Sequence, residues 1–358
     1  MLFLVVLFPV SNLVKVIGTI MAERVVYLPS AGFAGCVVLG VFALAERVGT
    51  RRASYWAAGL LSLAVAGLGI RTYFRNFDWA DDVTLWTSAI RVSPDSFKPY
   101  HGLAQTLSRI GESRVGEAIE VEKKAVAILD PLLPEHSSSL PYGVLGLLWL
   151  QRADMVDKIH PEEGRAAYQQ ALEVLQRAVP IDAAYNNYKR EQDLKRGVPA
   201  EFIQDIGIES LYINLSEAWM HLGHLPEAVE ARMHAVGLNP MDDRVYAAIA
   251  ELYQRMGRRQ EALRWAAEAF LIGQHPEELD LFVRCYWQLY PKGCAPVTEE
   301  VSKSLNMGCP LAQAAICEAE HAVLQHFEDT HWPQHIEVYR KRRITGIACG
   351  LEVEPGDQ

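Results

Sequence analysis

Residues 212–240, YINLSEAWMHLGHLPEAVEARMHAVGLNP, are followed 34 positions on by residues 246–274, YAAIAELYQRMGRRQEALRWAAEAFLIGQ. Tyr212 recurs as Tyr246, Gly223 as Gly257, Ala228 as Ala262 and Ala235 as Ala269. Within each unit an aromatic is followed by an aliphatic and a small residue at helical spacing: Tyr212, Leu215, Ser216, then Tyr246, Ile249, Ala250. Trp219 and Tyr253 stand at equivalent places, and Pro240 closes the first unit. The residue types have a physical reading. Small residues at Ala228 and Ala235 let two antiparallel helices approach closely. The aromatics fill the gap towards the next pair, and Gly223 ends the first helix in a left-handed turn costly for other residues.

Weaker copies lie upstream. Tyr100, Leu103, Ala104, Leu107 and Gly111 open one, closed by Ala118, Ala125 and Pro131. Tyr142, Leu145, Gly146 and Trp149 open another, whose second helix carries Ala171 and Ala178 after an expected inserted loop around Asp154 to Glu163. Leu85, Trp86, Ala89, Ile90 and Pro94 read as a lone second helix, a cap at the near end. The pattern resembles the tetratricopeptide repeat, so residues 98–276 are expected to form a solenoid of about four repeats stabilised by neighbour stacking. Residues 76–97 form the junction and half-repeat, and 277–358 a cysteine-bearing helical segment with a helix over Leu311 to Phe327.

The front of the chain is different material. The first 75 residues hold two acids against seven bases, leaving 42 acids and 27 bases for the rest. An acidic body with no basic stripe excludes nucleic acid as a partner. Residues 1–75 read as membrane: a partial span over 1–10, too short to cross about 30 Å of hydrocarbon, an external loop over 11–30, and spans over about 25–45 and 53–70. A secretory signal is the competing reading of the first ten residues, without a basic leading region or a clear cleavage site. Arg47, Arg51 and Arg52 crowd the short turn between the spans and assign it to the cytoplasm. The repeats are then extracytoplasmic, in a periplasm or in the lumen of the endoplasmic reticulum. The whole is all-α: two complete transmembrane helices and a partial one before a helical solenoid.

The first helix of each repeat lines the concave face. Lys98, His101, Gln105 and Arg109 are expected there at one end, Glu217, His221, Glu251 and Arg255 at the other, with an apolar middle. Each is equally a candidate for a merely solvated groove. Repeat identity by itself implies a protein-binding surface and no chemistry. Five cysteines (Cys285, Cys294, Cys309, Cys317, Cys349) fall in the last 75 residues, so at least one stays free or pairs between chains. Cys294 with Cys309 is the favoured disulfide. Cys309, Cys317 and His321 match no standard zinc spacing, and no metal is assigned.

One polar cluster borders the membrane, Glu23-Arg24 with Tyr27-Leu28-Pro29-Ser30. Its plain reading is a helix-end salt bridge with an interfacial tyrosine. Together with Arg75-Asn76-Phe77-Asp78-Trp79, Leu85-Trp86, Ala89, Pro94 and Lys98, it resembles the transmembrane and tetratricopeptide-repeat protein O-mannosyltransferases and their bacterial relatives. In that family a multi-span glycosyltransferase core using polyprenyl- or dolichyl-phosphate sugars precedes lumenal or periplasmic repeats. The resemblance covers about Met1 to Ile272 and corresponds to the C-terminal part of the membrane core plus the repeats. It implies that Arg24 contacts a lipid-linked phosphate, that Glu23 orients it or the acceptor hydroxyl, and that Tyr27 meets the sugar or lipid head. The family's acidic catalytic loop has no counterpart in this sequence, so no catalytic residue is assigned and the chain is expected to be a fragment or a reduced paralogue. The alternative function is a non-enzymatic, membrane-anchored scaffold whose repeats recruit partner proteins.

Overall fold

The structure is a computed structural model that describes residues 23–48, 51–203, 207–293, 309–329 and 339, with only the backbone of 23–29, 51 and 201. The expected partial span over 1–10 lies outside these residues. Among them there is no strand. The chain divides into two units, Met1–Leu85 and Trp86–Gln358.

The first unit holds α1 (Glu23–Arg47) and α2 (Arg51–Asn76), which pack on each other. Helix α1 starts at Glu23, so the part of the expected 11–30 loop from Glu23 onward is helical. Both helices are long and apolar enough to cross a membrane, with mean hydropathy of 1.4 over Ser30–Arg47 and 1.5 over the most apolar 18-residue stretch within Arg52–Trp79. Almost nothing in them is buried: Leu39 and Leu63 are each 72% exposed, and Trp56 is 79% exposed. Apolar helix faces left this exposed among the described residues call for lipid. Helix α2 adds aromatics at both ends, Tyr55 and Trp56 at its start and Tyr73 and Phe74 at its finish, with Phe77 packing on Tyr73 at 5.4 Å between ring centroids. At 1.5 Å per residue the aromatic ends lie about 25 Å apart, the separation of the two interfacial belts of a bilayer. The protein is membrane-associated.

The second unit is a stack of helix pairs. After α3 (Asp82–Val92) come α4 (Phe97–Ile110) with α5 (Val115–Leu129), α6 (Ser139–Asp157) with α7 (Pro161–Lys195), α8 (Glu209–His221) with α9 (Leu225–Leu238), and α10 (Asp243–Arg255) with α11 (Arg259–Gly273). Helices α12 (Pro276–Leu289) and α13 (Pro310–Asp329) follow, both packed on α11. Each pair contacts mainly itself and the next, the tetratricopeptide architecture. The small residues of the repeat, Ala118, Ala125, Ala171, Ala178, Ala228, Ala235, Ala262 and Ala269, are fully buried. Backbones approach so closely that a Cβ on Gly146 would lie 2.4 Å from Leu175, and one on Gly102 would lie 2.4 Å from the Trp86 ring. The Trp86 ring of α3 thus lies directly over Gly102 of α4. Gly223 and Gly257 end α8 and α10 with φ of 86° and 74°, where a β-carbon is strained.

Helix α7 departs from expectation in two ways. The loop expected around Asp154 to Glu163 is instead helix on both sides of a short turn at Lys158–His160, because α6 runs to Asp157 and α7 begins at Pro161. Then α7 runs through Pro180 to Lys195, well past the end of its repeat. The chain is held there by Asp182, only 3% exposed. Its carboxylate accepts from Ser139 Oγ at 3.1 Å, Ile208 N at 3.2 Å and Tyr212 OH at 3.5 Å, tying α6, α7 and α8 into one knot.

At the far end α13 covers α11. Glu268 is fully buried, accepts from Arg264 Nε at 2.9 Å, and has His326 Nε2 of α13 at 3.3 Å. Cys309 and Cys317 are disulfide-bonded, and Cys285 is a free, buried thiol. Cys294 lies outside the described residues, so its pairing with Cys309 stands as a proposal. With both sulfurs oxidised, Cys309 and Cys317 offer no thiolate to a metal.

Candidate functional site

The backbone from Glu23 to Tyr27 is helical, in α1, and the side chains of the three donor-binding candidates Glu23, Arg24 and Tyr27 lie outside those described. The geometry that can be built residue by residue is the groove of the second unit.

At its near end Lys98 and Arg109 are exposed on α4, while His101 and Gln105 turn inward. His101 Nδ1 lies 2.6 Å from Glu122 Oε1 of α5, and its Nε2 lies 3.2 Å from Gln105 Nε2. Glu122 is fully buried and its Oε2 has no partner. Burial raises the Glu122 pKa above the usual carboxylate range, with the hydrogen bond and charge of His101 opposing. A carboxyl whose folded pKa is raised stabilises the fold most below its unfolded value near 4.5, and that contribution is lost as pH rises through the folded pKa. Glu122→Gln keeps the shape and an acceptor for His101 but cannot ionise. Its thermal midpoint is expected to exceed that of the parent at pH 8 and to converge with it towards pH 4.5. Parallel midpoints across that range would refute the burial account.

At the far end three of the four expected residues meet. Glu217, Glu251 and Arg255 line one cleft of about 160 Å³ between α8, α9 and α10, together with Arg232, Met220 and Leu252. Glu217 and Glu251 are one repeat apart, as are His221 and Arg255, so successive first helices present the same two positions. His221 Nε2 sits 3.7 Å from Glu217 Oε1, and its ring stacks on Tyr168 at 4.2 Å. Tyr168 in turn donates to Asp154 Oδ1 at 2.6 Å. Arg232 donates through Nη2 to Glu217 Oε2 at 3.2 Å, while its Nε is buried without a partner. Burial pulls the Arg232 pKa down and the neighbouring Glu217 opposes it.

Arg232 and Glu122 are the residues that the periodicity did not single out. Both stand four positions after the first small residue of the second helix, where the other repeats have Leu175 and Ala266. A charge in a register that is otherwise apolar was the available signal. The arrangement offers alternating donors and acceptors on a rigid wall, suited to binding a polypeptide. Among the described residues it holds no cluster of three metal-ligating side chains.

Comparison with known proteins places this architecture. The chain is 40% identical over 121 residues to protein O-mannosyl-transferase Tmtc1 of Drosophila melanogaster, a match covering 32% of this chain and 13% of that protein. Drosophila Tmtc2 matches at 35% over 128 residues, covering 36% of this chain and 13% of that protein. The chain is related to the transmembrane and tetratricopeptide-repeat protein O-mannosyltransferases.

Human TMTC3 matches in the same way, at 32% identity over 99 residues, 28% of this chain and 10% of that protein. The chain thus spans about an eighth of the length of the curated relatives it matches. No family model matches. Among solved structures, a tetratricopeptide-repeat protein of Thermus thermophilus is 26% identical with a TM-score of 0.38, covering 62% of this chain and 95% of its own. YrrB, described as a tetratricopeptide-repeat protein with an unusual peptide-binding site, is 14% identical with a TM-score of 0.40 and covers 68% of this chain and 97% of its own.

Proposed function

We propose that the chain serves a membrane protein O-mannosyltransferase, contributing a lipid-facing helix pair and an extracytoplasmic repeat array that holds the acceptor protein. The observation that carries this is the identity to Tmtc1, in a chain that joins two exposed apolar helices to tetratricopeptide repeats. The reaction makes a glycosidic bond from the sugar's anomeric carbon to an acceptor hydroxyl and releases the polyprenyl phosphate. In this reading Arg24 holds the donor phosphate by charge-assisted hydrogen bonds, Glu23 orients Arg24 or the hydroxyl, and Tyr27 meets the sugar or lipid head. Placing the repeats outside the cytoplasm is supported by the arginines at 47, 51 and 52. It is supported independently by the disulfide-bonded Cys309 and Cys317, which persist in an oxidising compartment.

The test uses a full-length relative. Replacing the arginine that matches Arg24 by alanine is expected to lower mannosyl transfer from a polyprenyl-phosphate donor by about tenfold or more, the scale of losing one charge-assisted contact to phosphate. Unchanged transfer would remove the assignment. Protease added to sealed microsomes or inverted bacterial vesicles is expected to spare the repeats. Digestion from the cytoplasmic side would overturn the orientation, and intact transfer by a chain lacking the repeats would favour a recruiting scaffold.

A further inference from the structure

The cleft at Arg232 has a donor with nothing to receive it. Arg232 stands where Leu175 and Ala266 stand in neighbouring repeats, so packing alone does not call for a guanidinium. Its Nη2 is satisfied by Glu217, but its buried Nε is not. An orphaned buried donor is costly, and native structures rarely keep one without a use. The cleft is open to solvent along α10, where Glu251 and Arg255 are exposed. The charges decide the kind of occupant. Glu217 and Glu251 line the cleft against Arg232 and Arg255, and Asp242 and Glu251 both act on Arg232 electrostatically. An incoming carboxylate would meet three acids against two guanidiniums. A peptide amide brings an acceptor and a donor and adds no charge.

We propose that this cleft clamps one main-chain amide of an extended polypeptide, its carbonyl oxygen accepting from Arg232 Nε and its N–H donating to the Glu251 carboxylate. Met220 and Leu252 give the segment an apolar floor. A clamp on the main chain selects extended conformation and ignores side chains, as a surface must if it presents many hydroxyl-bearing sequences to one active site. The inference rests on the reading that the repeats hold acceptor polypeptide.

The experiment uses the full chain in detergent micelles and a fluorescein-labelled, unstructured Ser/Thr-rich peptide, followed by anisotropy. Arg232→Met and Glu251→Ala, which remove the donor and the acceptor outright, are each expected to weaken binding about tenfold, the worth of a hydrogen bond to a charged group. Glu251 is exposed, so Glu251→Ala keeps the parental melting midpoint and carries the test even where Arg232→Met unfolds. Replacing one peptide amide by an ester removes its N–H and weakens its carbonyl as an acceptor. That change is expected to weaken binding to the parent chain and to cost the Glu251→Ala chain less, since the N–H contact is already lost there. Parental affinity in both variants overturns the clamp, and peptide still bound elsewhere leaves the acceptor-holding reading standing. No peptide binding by the folded parent overturns both. Tighter binding of an Asp-substituted peptide overturns main-chain recognition in favour of a carboxylate site.

Discussion

Tyr246→Ala is expected to lower the stability of the repeat unit by about 4 kcal/mol, in the range for emptying a large aromatic site. Tyr246 is fully buried, and its ring packs on Trp265 at 5.6 Å and His326 at 6.0 Å between centroids. Its hydroxyl donates to the Pro240 carbonyl at 3.2 Å. The ring thus joins the closing turn of one repeat to both helices of the next and to the covering helix α13. Removing it leaves a cavity and an unsatisfied carbonyl together. Arrays of this kind are held by nearest neighbours, so the loss is expected to unfold the last pair first and release α13. Urea titration of the purified chain in detergent, read by tryptophan emission, measures it. A shift worth less than about 1 kcal/mol would mean that the site collapses without penalty.

Asp182→Ala has the second largest expected effect, about 3 kcal/mol, because three donors lose one acceptor. Ser139, Ile208 and Tyr212 all point at this carboxylate. A Cβ on Gly207 would sit 2.6 Å from Asp182 Oδ2, so the loop is drawn tightly onto the carboxylate. Burial raises the Asp182 pKa against these hydrogen bonds. The parent is therefore expected to gain stability as pH falls through the folded pKa towards the unfolded value near 3.8, and Asp182→Ala to lack that dependence. Calorimetry of both chains across the acid range checks it. An unchanged midpoint at neutral pH would show that the donors find water instead.

The helix pairs were legible because their signal is local and repeated. Gly223 and Gly257, or Ala228 and Ala262, report the same packing problem twice, and one uncharged run after another reports lipid without reference to the rest of the chain. Three members of the far cleft, Glu217, Glu251 and Arg255, were also legible, since position along a first helix decides which face it shows. Arg232 was not. Whether a charge on a second helix is buried depends on how deeply the next helix sits against it, and that depends on side chains a whole repeat away. The same holds for Glu122, whose partner His101 lies 21 positions earlier. The continuation of α7 through Pro180 went against a local rule, because proline removes a helix hydrogen bond. Tertiary contacts from Ser139 and Tyr212 hold that stretch in place from outside the helix.

The order of residues alone determined a lipid-seeking helix pair followed by stacked antiparallel helices, because apolar length and a 34-residue spacing of small and aromatic residues act through near neighbours. Only the tertiary structure decided which polar groups are sealed in and which face the groove. It set Glu122 against His101, Glu268 under α13, and Arg232 beside Glu217 with one donor left over. Those pairings are settled by the register between helices far apart in the chain, where a displacement of one hydrogen-bond length makes or breaks the contact.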